Sequence, residues 1–286
     1  MASVFMGCAV LPAAAADPVV PPGEDPGGVA LALIGPGIDY RSPKIAPRLA
    51  RDGEGEPIAW DFVDDDRTPF GGEGDGSGAA GTAIAEAMVA SYTHGRLVPL
   101  RVATGNPGAL ARAIAFAVGT PAKIVAIAMP LETPAEQEVI RQASARFSDH
   151  LFVVAGPTLA RADTPSPAAP DADAKVGTLL NIGNVLVVTG APDVEGRSAA
   201  AVSKAVDLIV VSRGSSMFGG APGAPPRNAL EAVALAAASA ACQGHGGEPL
   251  RGSAAKAATF DASRPLEGGG GLRVLDPLCF YGGRRM

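Results

Sequence analysis

The sequence predicts an α/β protein: one domain built on a mainly parallel central sheet flanked by helices. Three observations carry this expectation. Short, continuous apolar runs such as "GVALALIG" (Gly28 to Gly35) recur along the chain, as strands buried on both faces do. Stretches of helical length, rich in alanine or amphipathic, separate them. Of 286 residues, 47% are hydrophobic, with 37 Gly and 26 Pro but only 5% aromatic, a composition suited to close helix–sheet packing and many tight turns.

Taken in order, the first strand (Gly28 to Gly35) ends in Gly-Pro-Gly, a turn signal. Gly81 to Ser91 reads as an Ala-rich helix, "RLVPLRV" (Arg96 to Val102) as a strand, and Pro107 to Val118 as a helix with proline in its first turn. "KIVAIAM" (Lys123 to Met129) is a further strand. Thr133 to Phe147 is an amphipathic helix whose Thr133 and Glu136 have capping-box spacing. "HLFVVAG" (His150 to Gly156), "NVLVVTGA" (Asn184 to Ala191) and "AVDLIVV" (Ala205 to Val211) are buried strands, and a long Ala-rich helix runs from Asn228 to Ala241. The weakly patterned stretch from Gln243 to Gly271 reads as a variable surface segment.

A net charge of −6 and the lack of a long basic run argue against a nucleic-acid partner. No stretch reaches the roughly 18 apolar residues of a membrane span. Residues 1–16, "MASVFMGCAVLPAAAA", read as a signal peptide with an A-x-A cleavage pattern, though without a positive n-region, so export to a periplasmic or extracellular space is expected. Residues 17–27 read as a linker rich in Pro and Gly, and 28–286 as the domain. Cys8, Cys242 and Cys279 form no CxxC pair, which argues against structural zinc. Cys242 and Cys279 are either a disulfide in an exported chain or two buried thiols. No G-x-G-x-x-G follows the first strand and no G-x-x-x-x-G-K-[ST] occurs, which disfavours a nucleotide-binding α/β enzyme.

The order of motifs resembles the subtilisin-like serine proteases (subtilases). "VALALIGPGIDYRSPKI" is similar to a strand ending V-I-D-S/T-G-I-D-x-x-H-P-x-L. "WDFVDDDRTPFGGEGDGSGAAGTAIA" is similar, without a gap, to W-D-F-V-x-x-D-x-x-P-x-x-x-x-G-H-G-T-H-V-A-G-T. "LFVVAGPT", "GNVLVVTGAPD", "GAPPRNALEAVALAAASA" and "GGGLRVLDPL" follow in the family's order, so the likeness covers about residues 28 to 280. It implies the subtilisin-like three-layer fold.

Residue by residue, the resemblance places the triad aspartate on Gly35, the histidine on Asp75, the nucleophilic serine on Pro225 and the oxyanion-hole asparagine on Pro157. Such a protease needs a hydroxyl, an imidazole, a carboxylate to orient it and a donor for the oxyanion. These four residues supply at most one carboxylate, so a pseudoprotease that binds or scaffolds a protein or peptide is expected. The alternative is an active serine endopeptidase with a rearranged site. It would use Ser216 in "RGSSMFGG" as a displaced nucleophile, at the cost of an insertion before the central helix. His94, His150 and His245 each read as surface histidines. Asp75 is expected to serve as a helix-entry carboxylate, with Gly76 to Gly81 letting the helix approach the sheet. The resemblance also implies a calcium loop at Asp61, Asp64, Asp66 and Thr68, with Phe70 in place of an amide-bearing ligand; the rival is a solvated acidic loop. No other cofactor is implied. The family's peptide-binding strand end falls on Ala128 to Pro130, where proline removes a donor.

Overall fold

Val29–Gly35 (β1) is buried along its whole length, which requires a partner layer on each face of the sheet. In the computed structural model, which describes residues 17–71, 77–156, 177–190, 206–211, 229–244, 250–266 and 272–275, both layers are present. Val29, Leu31 and Leu33 point to one apolar cluster, while Ala30, Ala32 and Ile34 point to the other.

The remaining strands are Trp60–Asp61 (β2), Gly95–Arg101 (β3), Ile124–Ile127 (β4), Leu151–Ala155 (β5), Val185–Gly190 (β6), Leu208–Val210 (β7), Arg264–Pro265 (β8) and Arg273–Leu275 (β9). They form one nine-stranded sheet in the order β2-β3-β1-β4-β5-β6-β7-β9-β8. Every pairing is parallel except that of β8 with β9. The helices are Ser77–Ser91 (α1), Pro107–Gly119 (α2), Pro134–Arg146 (α3), Ala229–Cys242 (α4) and Gly252–Ala262 (α5). Residues of α1, α4 and α5 contribute to the first cluster, those of α2 and α3 to the second. The architecture is therefore the expected three-layer α/β arrangement.

Local chemistry accounts for the helix boundaries. Asn106 caps α2 by accepting from the Ala109 N–H at 3.0 Å, with Pro107 in the first turn. The capping box of α3 forms as expected: Thr133 Oγ1 accepts from the Glu136 N–H and Glu136 Oε2 from the Thr133 N–H. In α4, all residues from Glu231 to Ala241 are buried, because alanine lets the helix lie against both the sheet and α1. Cys242, the last residue of α4, is disulfide-bonded. Its partner lies outside the described residues.

Two expectations need correction. The stretch from Gln243 to Gly271 contains α5, whose buried Lys256 donates to the carbonyls of Ile182 (3.1 Å) and Val185 and to Asp207 Oδ2 (3.1 Å). Those bonds satisfy a buried cation and fix α5 to β6 and β7. Helix α1 begins at Ser77, four residues before the expected Gly81. The segment 17–27 is fastened to the domain. Asp25 Oδ2 accepts from the Arg51 N–H and Arg96 Nη1, Arg51 Nη2 donates to the Pro21 carbonyl, and the Tyr40 hydroxyl donates to the Pro18 carbonyl.

The first turn of α1 touches the backbone of the loops after β1 and β2. A Cβ on Gly78 would lie 2.1 Å from the Gly71 carbonyl oxygen, and one on Gly81 would lie 1.9 Å from that of Gly37. Neither neighbour is a flexible side chain, so the helix would have to move. Gly81→Ala should therefore lower stability by about 2–3 kcal/mol, read from the denaturant midpoint. Gly119→Ala, at a helical position with nothing within 4 Å, should be neutral or stabilising by up to about 1 kcal/mol. Equal effects of the two substitutions would contradict this packing.

Candidate functional site

In open parallel α/β sheets, ligands and reacting groups gather beyond the carboxyl ends of the strands. Here that edge carries Gly35 at the end of β1, Ala128 just after β4 and Gly156 just after β5. These residues have no functional side chain. Beside Gly35 the described residues leave a partly open space of only about 10 Å³, lined by Leu33, Gly37, Gly81, Ile84 and Ala128. It has room for about one water, and its lining is almost wholly apolar.

Of the four positions that the resemblance assigns to catalysis, Gly35 is described. Asp75, Pro157 and Pro225 lie outside the described residues, as does Ser216. Near Gly35, Asp39 is engaged by the Arg41 guanidinium at 2.8 and 2.9 Å, and its backbone N–H donates to Thr82 Oγ1. Pro130, after β4, is exposed and carries no N–H for an added strand.

The described histidines stand at the other edge of the sheet. The His94 carbonyl accepts from the Val29 N–H at the start of β1, and His150 immediately precedes β5. A strand of five to seven residues separates the two edges by about 16–23 Å. His94 is exposed as expected, but His150 is 3% exposed and corrects the surface reading. Its ring lies between Asp149, 2.7 Å from Nδ1, and Lys123 Nζ, 3.3 Å from Nε2. Burial and the Lys123 charge pull its pKa down, against the opposing pull of Asp149. The signal missed in the sequence was its place directly before a wholly buried strand. His245 lies outside the described residues.

The acidic loop is well ordered by its own hydrogen bonds. Asp61 is fully buried; its Oδ1 accepts from the N–H groups of Val63 (2.7 Å) and Asp64 (3.0 Å), and its Oδ2 accepts from Arg101 Nη1 at 2.8 Å. The same Arg101 nitrogen reaches Asp64 Oδ2 at 2.5 Å. Asp66 Oδ1 accepts from the Thr68 N–H and hydroxyl, both at 2.7 Å. Phe70, where the resemblance puts an amide-bearing ligand, packs on Tyr40 with ring centroids 5.6 Å apart.

The structure thus brings Asp61 and Asp64 together but adds Asp17, whose carboxylate lies with theirs inside a 4.8 Å group. Thr68 Oγ1 sits 3.2 Å from Asp17 Oδ2. Burial raises the Asp17 pKa; the Thr68 hydrogen bond opposes the rise, and the charges of Asp66, Asp64 and Asp61 add to it. No local spacing could have paired Asp17 with a loop more than forty residues away. The cluster offers hard carboxylate oxygens and, with Arg101 the cation paired to it, an excess of negative charge. That donor chemistry fits a divalent hard cation, although Arg101 already occupies one face.

No helix among the described residues is long and apolar enough to cross a membrane. No family model and no curated protein matches the chain. Solved structures do. MycP1 with its N-terminal propeptide removed aligns with a TM-score of 0.53 at 17% identity, over 90% of this chain and 91% of that one. A cold-adapted subtilisin-like serine proteinase aligns at 0.55 and 17% identity, over 89% and 90%. A lanthipeptide protease aligns at 0.54 and 13%, over 85% and 82%. At such identities the likeness speaks for architecture, and with the sheet order and helix layers above it leads to one conclusion: this chain has the subtilisin-like fold.

Proposed function

We propose that this protein is a catalytically inactive subtilisin-like pseudoprotease, a binding or scaffolding protein for a protein or peptide partner. The observation that carries the reading is the placement of the histidines. Serine-protease chemistry requires an imidazole within hydrogen-bond reach of the nucleophile. The two described histidines stand at the amino edge of the sheet, and His150 is held between Lys123 and Asp149. The glycine at the aspartate position, and the small apolar void beside it, support the same reading.

Two further proposals belong with it. The loop at Asp61, Asp64, Asp66 and Thr68, joined by Asp17, holds calcium through carboxylate and hydroxyl oxygens, with Arg101 neutralising the far side. The ion would supply charge compensation to the loop and no chemistry. Export, with the mature chain beginning near Asp17, is supported by the disulfide at Cys242, since such bonds persist in oxidising compartments.

The purified protein is expected to hydrolyse no peptide above background and to take no label from a fluorophosphonate serine probe. Labelling that disappears in Ser216→Ala would overturn the pseudoprotease reading in favour of a rearranged endopeptidase.

Calcium at about 100 times its Kd should stabilise the fold by about 2.7 kcal/mol, a gain seen as a higher thermal midpoint in calcium than in EGTA. Asp64→Asn should reduce that difference. Identical midpoints at millimolar calcium and in EGTA would contradict the site.

N-terminal sequencing of protein from its native source should begin near Asp17. An intact Met1 in a reducing cytosolic fraction would contradict export.

A further inference from the structure

A groove of about 480 Å³ opens between the edge strand β2 and the C-terminal half of α2. Its floor is made by Ile58, Trp60 and Phe116, which pack on the α2/α3 side of the sheet, away from the void beside Gly35. The volume falls within the range of small-ligand sites. Two things distinguish it from an ordinary surface dent. The floor is aromatic and only partly buried: the Trp60 and Phe116 rings lie 6.2 Å apart, and Phe62 completes the cluster at 6.4 and 6.3 Å. Such rings offer a large, rigid apolar surface at low entropic cost. The groove wall also carries the exposed Arg67, which makes no hydrogen bond or ion pair with any described residue.

The wall's other charged residue, Asp52, is tied to its own turn. Asp52 Oδ1 accepts from the N–H groups of Glu54 (2.9 Å) and Glu56 (3.0 Å), which holds its own turn. Arg112, near the cluster, stacks over Phe62 at 5.7 Å. Among the lining residues Arg67 is the cation, and its planar guanidinium has the geometry that takes a carboxylate in two parallel hydrogen bonds.

We propose that this groove binds a small amphipathic carboxylate, with an aromatic or large apolar body on Trp60 and Phe116 and its carboxylate on Arg67. A free aromatic acid and the C-terminal residue of a peptide share that chemistry. The inference does not depend on the pseudoprotease reading, since none of these residues is among the positions that the resemblance assigns to catalysis.

Trp60 is the sole tryptophan of the chain, so its fluorescence reports on the groove directly. The full chain is titrated with N-acetylphenylalanine, with N-acetylphenylalanine amide, and with a ten-residue peptide ending in phenylalanine, its C-terminus free or amidated. Both acids, or one of them, should give a saturable change in Trp60 emission, and the matching amide should bind about tenfold more weakly. Saturation by the small acid alone assigns the site to free acids; tighter binding of the free-ended peptide assigns it to chain ends. Arg67→Gln, an exposed change that should leave the thermal midpoint unaltered, should weaken the acid about tenfold and abolish the acid–amide difference. Phe116→Ala should remove binding, but it also disturbs packing, so the amide comparison and Arg67→Gln are decisive. No saturable change up to about 10 mM, equal affinity for acid and amide, or an unaffected Arg67→Gln would each overturn the proposal.

Discussion

The closeness of α1 to the loops after β1 and β2 is the constraint on which this edge of the molecule depends. Gly78 and Gly81 bring the helix backbone against Gly71 and Gly37 at distances no Cβ tolerates. This contact lets Thr82 Oγ1 accept the Asp39 N–H at 2.7 Å and narrows the space that the described residues leave beside Gly35 to about 10 Å³. A carboxylate placed in so small an apolar space would need a buried partner to offset its desolvation. Glycine at position 35 avoids that cost. Packing and the residue type at position 35 are thus consistent with each other.

The two edges of the sheet differ in character. At the amino edge polar ties dominate: Asn184 Nδ2 donates to the carbonyls of Ser144 (3.1 Å) and His150 (3.0 Å), Lys256 spans α5 to β6 and β7, and Asp25 joins Arg51 to Arg96. Each tie satisfies buried or half-buried groups that would otherwise destabilise the fold. At the carboxyl edge the described residues around Gly35 are small and apolar, with charge confined to Asp39–Arg41 and to the Asp61–Arg101 loop. Polar side chains at the amino edge serve cohesion.

Much of this was legible in the sequence because the signals are local. Uninterrupted apolar runs gave the strands of the sheet core, and the Thr133–Glu136 spacing gave the cap of α3. What was missed depends on distance or on weak patterning. Helix α5 was hidden because its small residues show little amphipathic contrast, and its anchor is the single Lys256 reaching carbonyls more than seventy residues away. Burial of His150 follows from tertiary packing of β5, and the approach of Asp17 to Asp61 and Asp64 from the course of segment 17–27. The groove unites Trp60 with Phe116, which no motif links. At the candidate site the glycine at position 35 could be read directly, whereas the edge on which each described histidine stands required the fold.

The central claim, a subtilisin-like fold without its chemistry, is tested most directly by measuring side-chain positions crystallographically across the carboxyl edge of the sheet. The account predicts that Asp75, Pro157 and Pro225 converge around Gly35 and that no serine hydroxyl there lies within about 3.5 Å of a histidine nitrogen, the outer limit of a hydrogen bond. Ser216 Oγ within that reach of an imidazole would contradict it.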